Sequence, residues 1–259
     1  MIVRKERLDQ QLVRKGMASS REEAKRLILA GKVSILDKPG ARLKPSSLLD
    51  PDQPLKIEQR EKYVSRGGYK LEVLFHSFHL HVEGKICLDV GSSTGGFVDC
   101  LLQHGARTVY CVDVGKGLLH WKIRSDPRVK IMEGMNARYL KKEDFSNQLF
   151  DVITVDVSFI SLKLILPALF PLLTPNGLVC ALIKPQFEAG KKEVGKKGVI
   201  RDEGIRNRVI KDLELWLTAN FPMKTAAVIP SPILGQEGNQ EYLWVIEQKD
   251  PCIDLKPHL

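Results

Sequence analysis

The spacing of apolar residues changes character along the 259-residue chain, and the change marks its organisation. Between Arg7 and Lys15, Leu8, Leu12 and Val13 recur with a helical period, and Gly16 stands where a C-terminal cap belongs. A second helical pattern, Ala24, Leu27 and Ile28, follows a capping-box spacing of Ser19 to Glu22 and stops at Gly31. KVSIL, a DKPG turn and Leu55 to Ile57 read as two short strands. Two small helices and a hairpin make a marginal core, so this unit is expected to serve binding. Gln59 to Arg66, QREKYVSR, is polar without a period and predicts a boundary: a first domain over 1–60, a linker over 61–66 and a large domain over 67–250.

In the large domain strand and helix patterns alternate. A helix from Gly68 to Leu80 carries Leu71, Leu74, Phe75 and Phe78 on one face, and strands end near Asp89, Asp113, Met132, Asp156 and Lys184. The last two strands, around Thr225 to Ile229 and Glu241 to Glu247, are joined by PSPILGQEGNQ, too short for a right-handed crossover. The final strand is therefore expected to run antiparallel in an α/β, doubly wound, Rossmann-like seven-stranded sheet behind a small α+β domain.

The stretch KICLDVGSSTGGF, Lys85 to Phe97, reads as a strand, a tight turn and a helix start. Its glycines let a ligand lie against the backbone, and the helix N–H groups favour the ligand's polar parts. Asp113 closes the next strand 24 residues after Asp89, where such folds keep an acid for ribose hydroxyls. The Gly-x-x-x-Gly-Gly spacing leans away from NAD and towards S-adenosylmethionine; a turn that merely joins strand to helix is the plainer alternative. The topology also gathers charge. Asp156 and Lys184 end strands and Glu241 begins an antiparallel one, so all three converge on the rim where ligands bind, and Lys70 reaches the same side. Burying such charges unpaired is costly, which points to a functional cluster or a structural ion-pair network.

Composition narrows the function classes. The longest apolar run, Leu164 to Leu173, is too short to span a bilayer and contains two prolines, and the start of the chain lacks a signal-peptide core. A soluble cytoplasmic protein is expected, with no membrane partner. The five scattered cysteines, Cys252 among them, read as reduced packing residues. His76, His79 and His81 straddle a helix end without acidic partners, so no metal is expected. The first 60 residues hold 14 Lys/Arg against 8 Asp/Glu, a net +6 of the chain's +9, a localised field of the kind nucleic acid prefers.

RLDQQLVRKGMASSREEAKRLILAGKVSI resembles the S-four-type RNA-binding domain over roughly residues 4–60. The resemblance implies that Arg4, Lys5, Arg7, Arg14, Lys15, Arg21, Lys25, Arg26 and Lys32 include phosphate contacts, a solvated surface charge being the alternative for each. YKL, GSSTGGF, VDVSFISL, LIKPQFE, GKKGVIRD and GNQEY resemble the FtsJ-like RNA ribose methyltransferases, whose fold is that of class I methyltransferases. The whole chain resembles the TlyA family, long labelled haemolysins and understood as rRNA 2'-O-methyltransferases. By that resemblance Lys70, Asp156, Lys184 and Glu241 form a catalytic Lys-Asp-Lys-Glu tetrad, and the partner is ribosomal RNA or a ribosomal subunit. Lys184 would orient the ribose hydroxyl and accept its proton. Asp89, Gly91, Ser92, Gly95, Phe97 and Asp113 would hold S-adenosylmethionine. Asn136 stands where related enzymes read the adenine and is equally a turn residue. Phe159 is expected in the methyl pocket, against a base, or in the core. The loop Ala189 to Arg201, with four lysines, is expected to be mobile and to close on RNA. An RNA-binding scaffold without activity, a membrane-lytic protein and an NAD-dependent oxidoreductase are the rival readings.

Overall fold

The computed structural model describes residues 5–38, 40–57, 61–190, 193–195 and 198–249. Arg4, Cys252, Gln59 and Arg60 therefore lie outside the described residues, as do the loop's Lys191, Lys192, Lys196 and Lys197. The chain divides into two compact units between Glu61 and Lys62.

The first unit runs β1 (Glu6–Arg7), α1 (Leu8–Arg14), α2 (Arg21–Leu29), β2 (Val33–Ile35), β3 (Leu48–Leu49) and β4 (Leu55–Ile57). Leu8, Leu12, Ala18, Ala24, Ile28 and Val33 meet in its core, as the helical periods require. β2 pairs antiparallel with β4, and β3 returns to pair with β1, a second ladder the expected hairpin did not include. The cap of α2 is Ser20 rather than Ser19. Glu23 N donates to Ser20 Oγ at 3.2 Å, and the Glu23 carboxylate accepts Ser19 N at 2.8 Å. Both serines precede a glutamate by three, so the spacing alone does not separate them. Asp9 is fully buried beneath Arg7 (3.0 Å) and Arg21 (3.1 Å), tying β1 to the start of α2.

The second unit runs α3 (Gly67–Ser77), β5 (Ile86–Val90), α4 (Gly96–Gln103), β6 (Thr108–Asp113), α5 (Trp121–Arg124), β7 (Val129–Glu133), β8 (Phe150–Val155), α6 (Leu166–Leu169), β9 (Leu173–Ile183), α7 (Pro185–Glu188), α8 (Glu203–Asn220), β10 (Met223–Pro230) and β11 (Tyr242–Gln248). The seven strands are ordered β10-β11-β9-β8-β5-β6-β7. β9, β8, β5, β6 and β7 are mutually parallel, and β11, wedged between β9 and β10, runs antiparallel to both. Both faces of the sheet are covered, so the central strands read as continuous apolar runs whose alternate residues part company. In β9, Val179, Ala181 and Ile183 join one core while Cys180 and Leu182 join the other; Trp244 and Ile246 of β11 part from Leu243 and Val245 in the same way.

One expectation is corrected here. The segment read as a polar linker contains Tyr63, which is 1% exposed against α3 and α4, and Val64 N donates to the buried Asp99 carboxylate at 2.9 Å. One aromatic in a polar run is too little to create a period, yet it anchors Lys62–Arg66 onto the second unit. The basic loop, expected to be mobile and to close on RNA, carries hydrogen bonds at its far end that the sequence did not announce. Ile200 N donates to Asn239 Oδ1 at 3.0 Å, Asn239 Nδ2 donates to Gly198 O at 2.9 Å, and Arg206 Nη1 donates to Arg201 O at 2.8 Å.

The four described cysteines, Cys87, Cys100, Cys111 and Cys180, are free and buried, and burial pushes the thiols of Cys87, Cys100 and Cys180 up to about 12. Among the described residues no group of His, Cys, Asp or Glu side chains could hold a metal, and no helix is long and apolar enough to cross a membrane.

Candidate active site

Strand register brings the four charged residues together. Ile183 pairs with Tyr242 in the β9–β11 ladder, which sets Lys184 opposite Glu241, and Asp156 follows β8 on the other side of β9. Each lies at the edge where the parallel strands end. Two ion pairs result. Lys70 Nζ, from the first turn of α3, donates to Glu241 Oε2 at 2.5 Å, and Lys184 Nζ lies 2.6 Å from Asp156 Oδ1. The second contact is a charge pair without hydrogen-bond alignment; the aligned donation from Lys184 Nζ goes to Ser158 Oγ at 2.8 Å. Glu241 and Lys184 are 2% and 9% exposed, so each depends on its partner to offset desolvation.

Beside the pairs lies a cleft of about 220 Å³ lined by Lys70, Asp156, Asp89, Gly91, Ser92 and Phe97, together with Ser65, Arg66 and Gly67. It shares Gly91, Ser93 and Asp156 with a more apolar cleft of about 540 Å³ that holds Asp113, Asn136, Met135, Leu118, Val157 and Phe159. Gly91 has φ +83°, and a Cβ there would come 2.5 Å from the Asp156 carbonyl oxygen. Gly95, at φ +93°, supplies the left-handed N-cap of α4 and faces Leu119 and Ile123. A side chain at Gly91 would displace backbone, while one at Gly95 would strain the left-handed turn and press on the Ile123 and Leu119 side chains at 3.0–3.2 Å. Ser92 Oγ donates to Asp89 O at 3.0 Å, closing the turn from inside.

The two acids are prepared differently. Asp113 accepts Ser93 N at 2.8 Å and Gly115 N at 2.7 Å, so its carboxylate is held in place at the end of β6. Asp89 pairs in register with Thr154 of β8 and accepts its hydroxyl at 2.6 Å, while its Oδ2 is buried without a partner. Desolvation pushes the Asp89 carboxyl up to about 7 against the opposing hydrogen bonds from Thr154 and Ser92. Asp89 lines the cleft, and its buried, unsatisfied carboxylate oxygen leaves a charge that a cationic or hydrogen-bond-donating group there would offset. Asn136 is a turn residue, its side chain accepting Arg138 N at 3.1 Å as a cap, and it also lines the apolar cleft.

An apolar slot ending in a fixed acid, joined through a glycine cradle to a polar slot with an unsatisfied acid, fits S-adenosylmethionine. Adenosine would lie by Asp113 and Asn136, and the methionine end by Asp89. Phe159 is 86% exposed, so the core reading is excluded; it sits at φ +64° with its ring 5.0 Å from that of Phe187. Ser158, Glu188 and Asn239 were not singled out in the sequence although each lies inside a quoted motif: VDVSFISL, LIKPQFE and GNQEY. Motif membership was their only signal. Ser65 and Arg66 of the supposed linker gave none.

In the first unit, five of the expected phosphate-binding residues already hold acids. Arg7 and Arg21 pair with Asp9, Arg14 with Glu6, Lys25 with Glu22, and Arg26 lies 3.9 Å from Glu23. Lys15 Nζ donates to Gln53 O at 2.7 Å. Among the described residues Lys5 and Lys32 have no acidic partner within ion-pair distance.

Comparison with known proteins agrees with this geometry. Residues 63–248 match the FtsJ-like methyltransferase family and residues 6–49 match the S4 domain. The chain is 39% identical to the 16S/23S rRNA (cytidine-2'-O)-methyltransferase TlyA of Mycobacterium tuberculosis (strain CDC 1551 / Oshkosh), covering 98% of this chain and 95% of that one. It is 42% identical to Hemolysin A of Brachyspira hyodysenteriae, over 92% of this chain and 98% of that one. A solved structure from Streptococcus thermophilus, which also carries a hemolysin name, superposes with a TM-score of 0.71 at 42% identity over 96% of this chain and 90% of its own. With its S4 domain in front of a methyltransferase fold and the two ion pairs at the mouth of the cofactor cleft, the chain belongs to the FtsJ-like methyltransferases and, within them, to the TlyA family.

Proposed function

We propose that this enzyme transfers the methyl group of S-adenosylmethionine to the ribose 2'-hydroxyl of a cytidine in ribosomal RNA, in the cytoplasm. The observation that carries the reading is the Lys184–Asp156 pair beside the cofactor cleft, with Lys70–Glu241 next to it. The cofactor supplies a methyl group already activated on a sulfonium, so the protein needs to align a weak nucleophile and remove its proton. Lys184 orients the ribose hydroxyl and accepts its O2' proton. Asp156 and Ser158 hold the amine from two directions, and Glu241 keeps Lys70 at the cleft wall. The exposed ring of Phe159, resting against the half-buried Phe187, suits a target base turned out of its stack. Asp89, Gly91, Ser92, Gly95, Phe97, Asp113 and Asn136 bind the cofactor. Arg4, Lys5, Arg7, Arg14, Lys15, Arg21, Lys25, Arg26 and Lys32 supply the pool from which phosphate contacts are drawn.

The test is transfer of labelled methyl from S-adenosylmethionine to purified large and small ribosomal subunits. Label in RNA at one linkage resistant to alkali is expected, since a methylated O2' no longer attacks the adjoining phosphate. Cofactor binding without label on either subunit contradicts the reading.

A further inference from the structure

Three contacts join the loop after β8 to the helix after β9. At the first, Lys184 meets Asp156 and Ser158. At the second, the Phe187 ring lies against Phe159. At the third, Glu188, the last residue of α7, accepts Ser161 Oγ at 2.6 Å through Oε2 and Leu162 N at 2.7 Å through Oε1. The first contact is the one the reaction loads, because Lys184 must meet a ribose hydroxyl while Asp156 and Ser158 hold its amine. The second rests on an exposed ring whose backbone is in the left-handed region, a conformation unfavourable for phenylalanine. Neither can hold the loop by itself during turnover.

We propose that Glu188 is a positioning residue for methyl transfer: its carboxylate clasps the Asp156–Leu162 loop to α7 and so keeps Asp156, Ser158 and Phe159 registered against Lys184. This rests on the function proposed above. The clasp has the properties such a role needs. Both carboxylate oxygens are used, on the hydroxyl and the backbone N–H of adjacent residues, which fixes the loop's direction as well as its distance. Glu188 lies in a partly buried position, and desolvation raises its carboxyl above the usual range although both bonds oppose the shift, so the group is held at a cost that surface packing alone does not require. It does not line the cofactor cleft. The residue touches neither cofactor nor the reacting atoms, and its influence runs through Asp156 and Ser158.

The experiment compares full-length Glu188→Ala and Glu188→Gln with wild type. It measures methyl transfer to ribosomal subunits, S-adenosylmethionine affinity by calorimetry, and hydrogen exchange of the 157–162 amides. Gln can accept Leu162 N through its carbonyl oxygen and donate to Ser161 Oγ, so it preserves the clasp without the charge. In Glu188→Ala we expect kcat to fall roughly 10- to 100-fold, the range a misplaced reacting group produces, with cofactor Kd within about twofold and exchange of the 157–162 amides accelerated. Glu188→Gln should restore most of kcat and the slow exchange. Should Glu188→Ala fail to fold, Ser161→Ala removes one of the two bonds to Glu188, together with the 3.2 Å cap that Ser161 Oγ accepts from Lys163 N, and should give a smaller loss of kcat with the same retained cofactor affinity. Wild-type kcat and exchange in Glu188→Ala, or in Ser161→Ala when that variant stands in, overturn the proposal, as does a Glu188→Gln as inactive as Glu188→Ala with the clasp intact. Wild-type protein that methylates neither subunit but shows the expected exchange pattern would sink the functional reading and leave the clasp standing.

Discussion

At the scale of single residues, the site works by unequal treatment of similar groups. Asp113 and Asp89 end adjacent strands, yet two backbone N–H groups satisfy the first while one oxygen of the second has no partner. Asp89, with its carboxyl near 7, is partly protonated in the free enzyme at neutral pH. Its ionised form is the one that attracts the cationic cofactor, so affinity for S-adenosylmethionine should rise as pH is raised from 6 to 8. Calorimetry should find weaker, pH-flat binding for Asp89→Asn over the same interval, and a flat wild-type profile would contradict this role. The sign for stability is opposite to that of an ordinary paired carboxylate. The folded protein retains a proton that the unfolded chain releases near 4, so Asp89 weakens the fold as pH rises from about 4 to about 7 and adds no further slope above. Asp89→Asn should flatten that part of the profile of Tm against pH in the cofactor-free protein.

At the scale of elements, local pattern was legible and single-residue ties between elements were not. β5, β6, β8, β9 and the antiparallel β11 fall where apolar runs and turn lengths put them, because strands covered on both faces cannot hide their composition. Asp156, Lys184 and Glu241, with Lys70 reaching the same side, could be placed on one rim from topology alone, whereas the pairing of Lys70 with Glu241 was not legible until the structure showed it. What escaped were ties made by one side chain: Tyr63 anchoring a polar segment, Asn239 fastening Gly198–Ile200, Glu188 holding Ser161. No period or spacing announces a hydrogen bond across 27 or 41 residues. The same holds for Asp9 in the first unit, whose carboxyl the Arg7 hydrogen bond holds down at about 2, assisted by Arg21 and opposed by burial. A depressed carboxyl contributes stability that is present above about 4 and is lost as pH falls through about 2. Asp9→Asn should destabilise the first unit by about 1–3 kcal/mol at neutral pH, the usual worth of hydrogen bonds to charged groups. Urea unfolding followed by hydrogen exchange in α1 and α2 measures it, and unchanged protection would show that Asp9 is dispensable.

At the scale of the whole molecule, charge is divided between the units as their tasks require. The first 60 residues carry +6 of the net +9, and among the expected phosphate contacts in the described residues Lys5 and Lys32 are without an ion pair or a hydrogen-bonded carbonyl, which leaves them free to meet phosphate. Much of that field is already committed to internal pairs, so net charge overstates the number of phosphate contacts. Affinity for rRNA should fall linearly with salt on a log–log plot, and Lys32→Ala should lower the slope by about one unit while cofactor affinity is untouched. An unchanged slope would remove Lys32 from the interface. The haemolysin names borne by some relatives find no support in a membrane-spanning helix among the described residues, whereas cofactor cleft, charged tetrad and S4 domain are accounted for together by RNA methylation.

The central claim is that Lys184 removes the proton from the ribose hydroxyl while other residues hold the cofactor. Single-turnover methyl transfer by Lys184→Ala, measured beside its S-adenosylmethionine Kd, tests it most directly. The account predicts loss of transfer with cofactor affinity nearly unchanged; transfer at the wild-type rate, or lost cofactor binding with residual transfer, would contradict it.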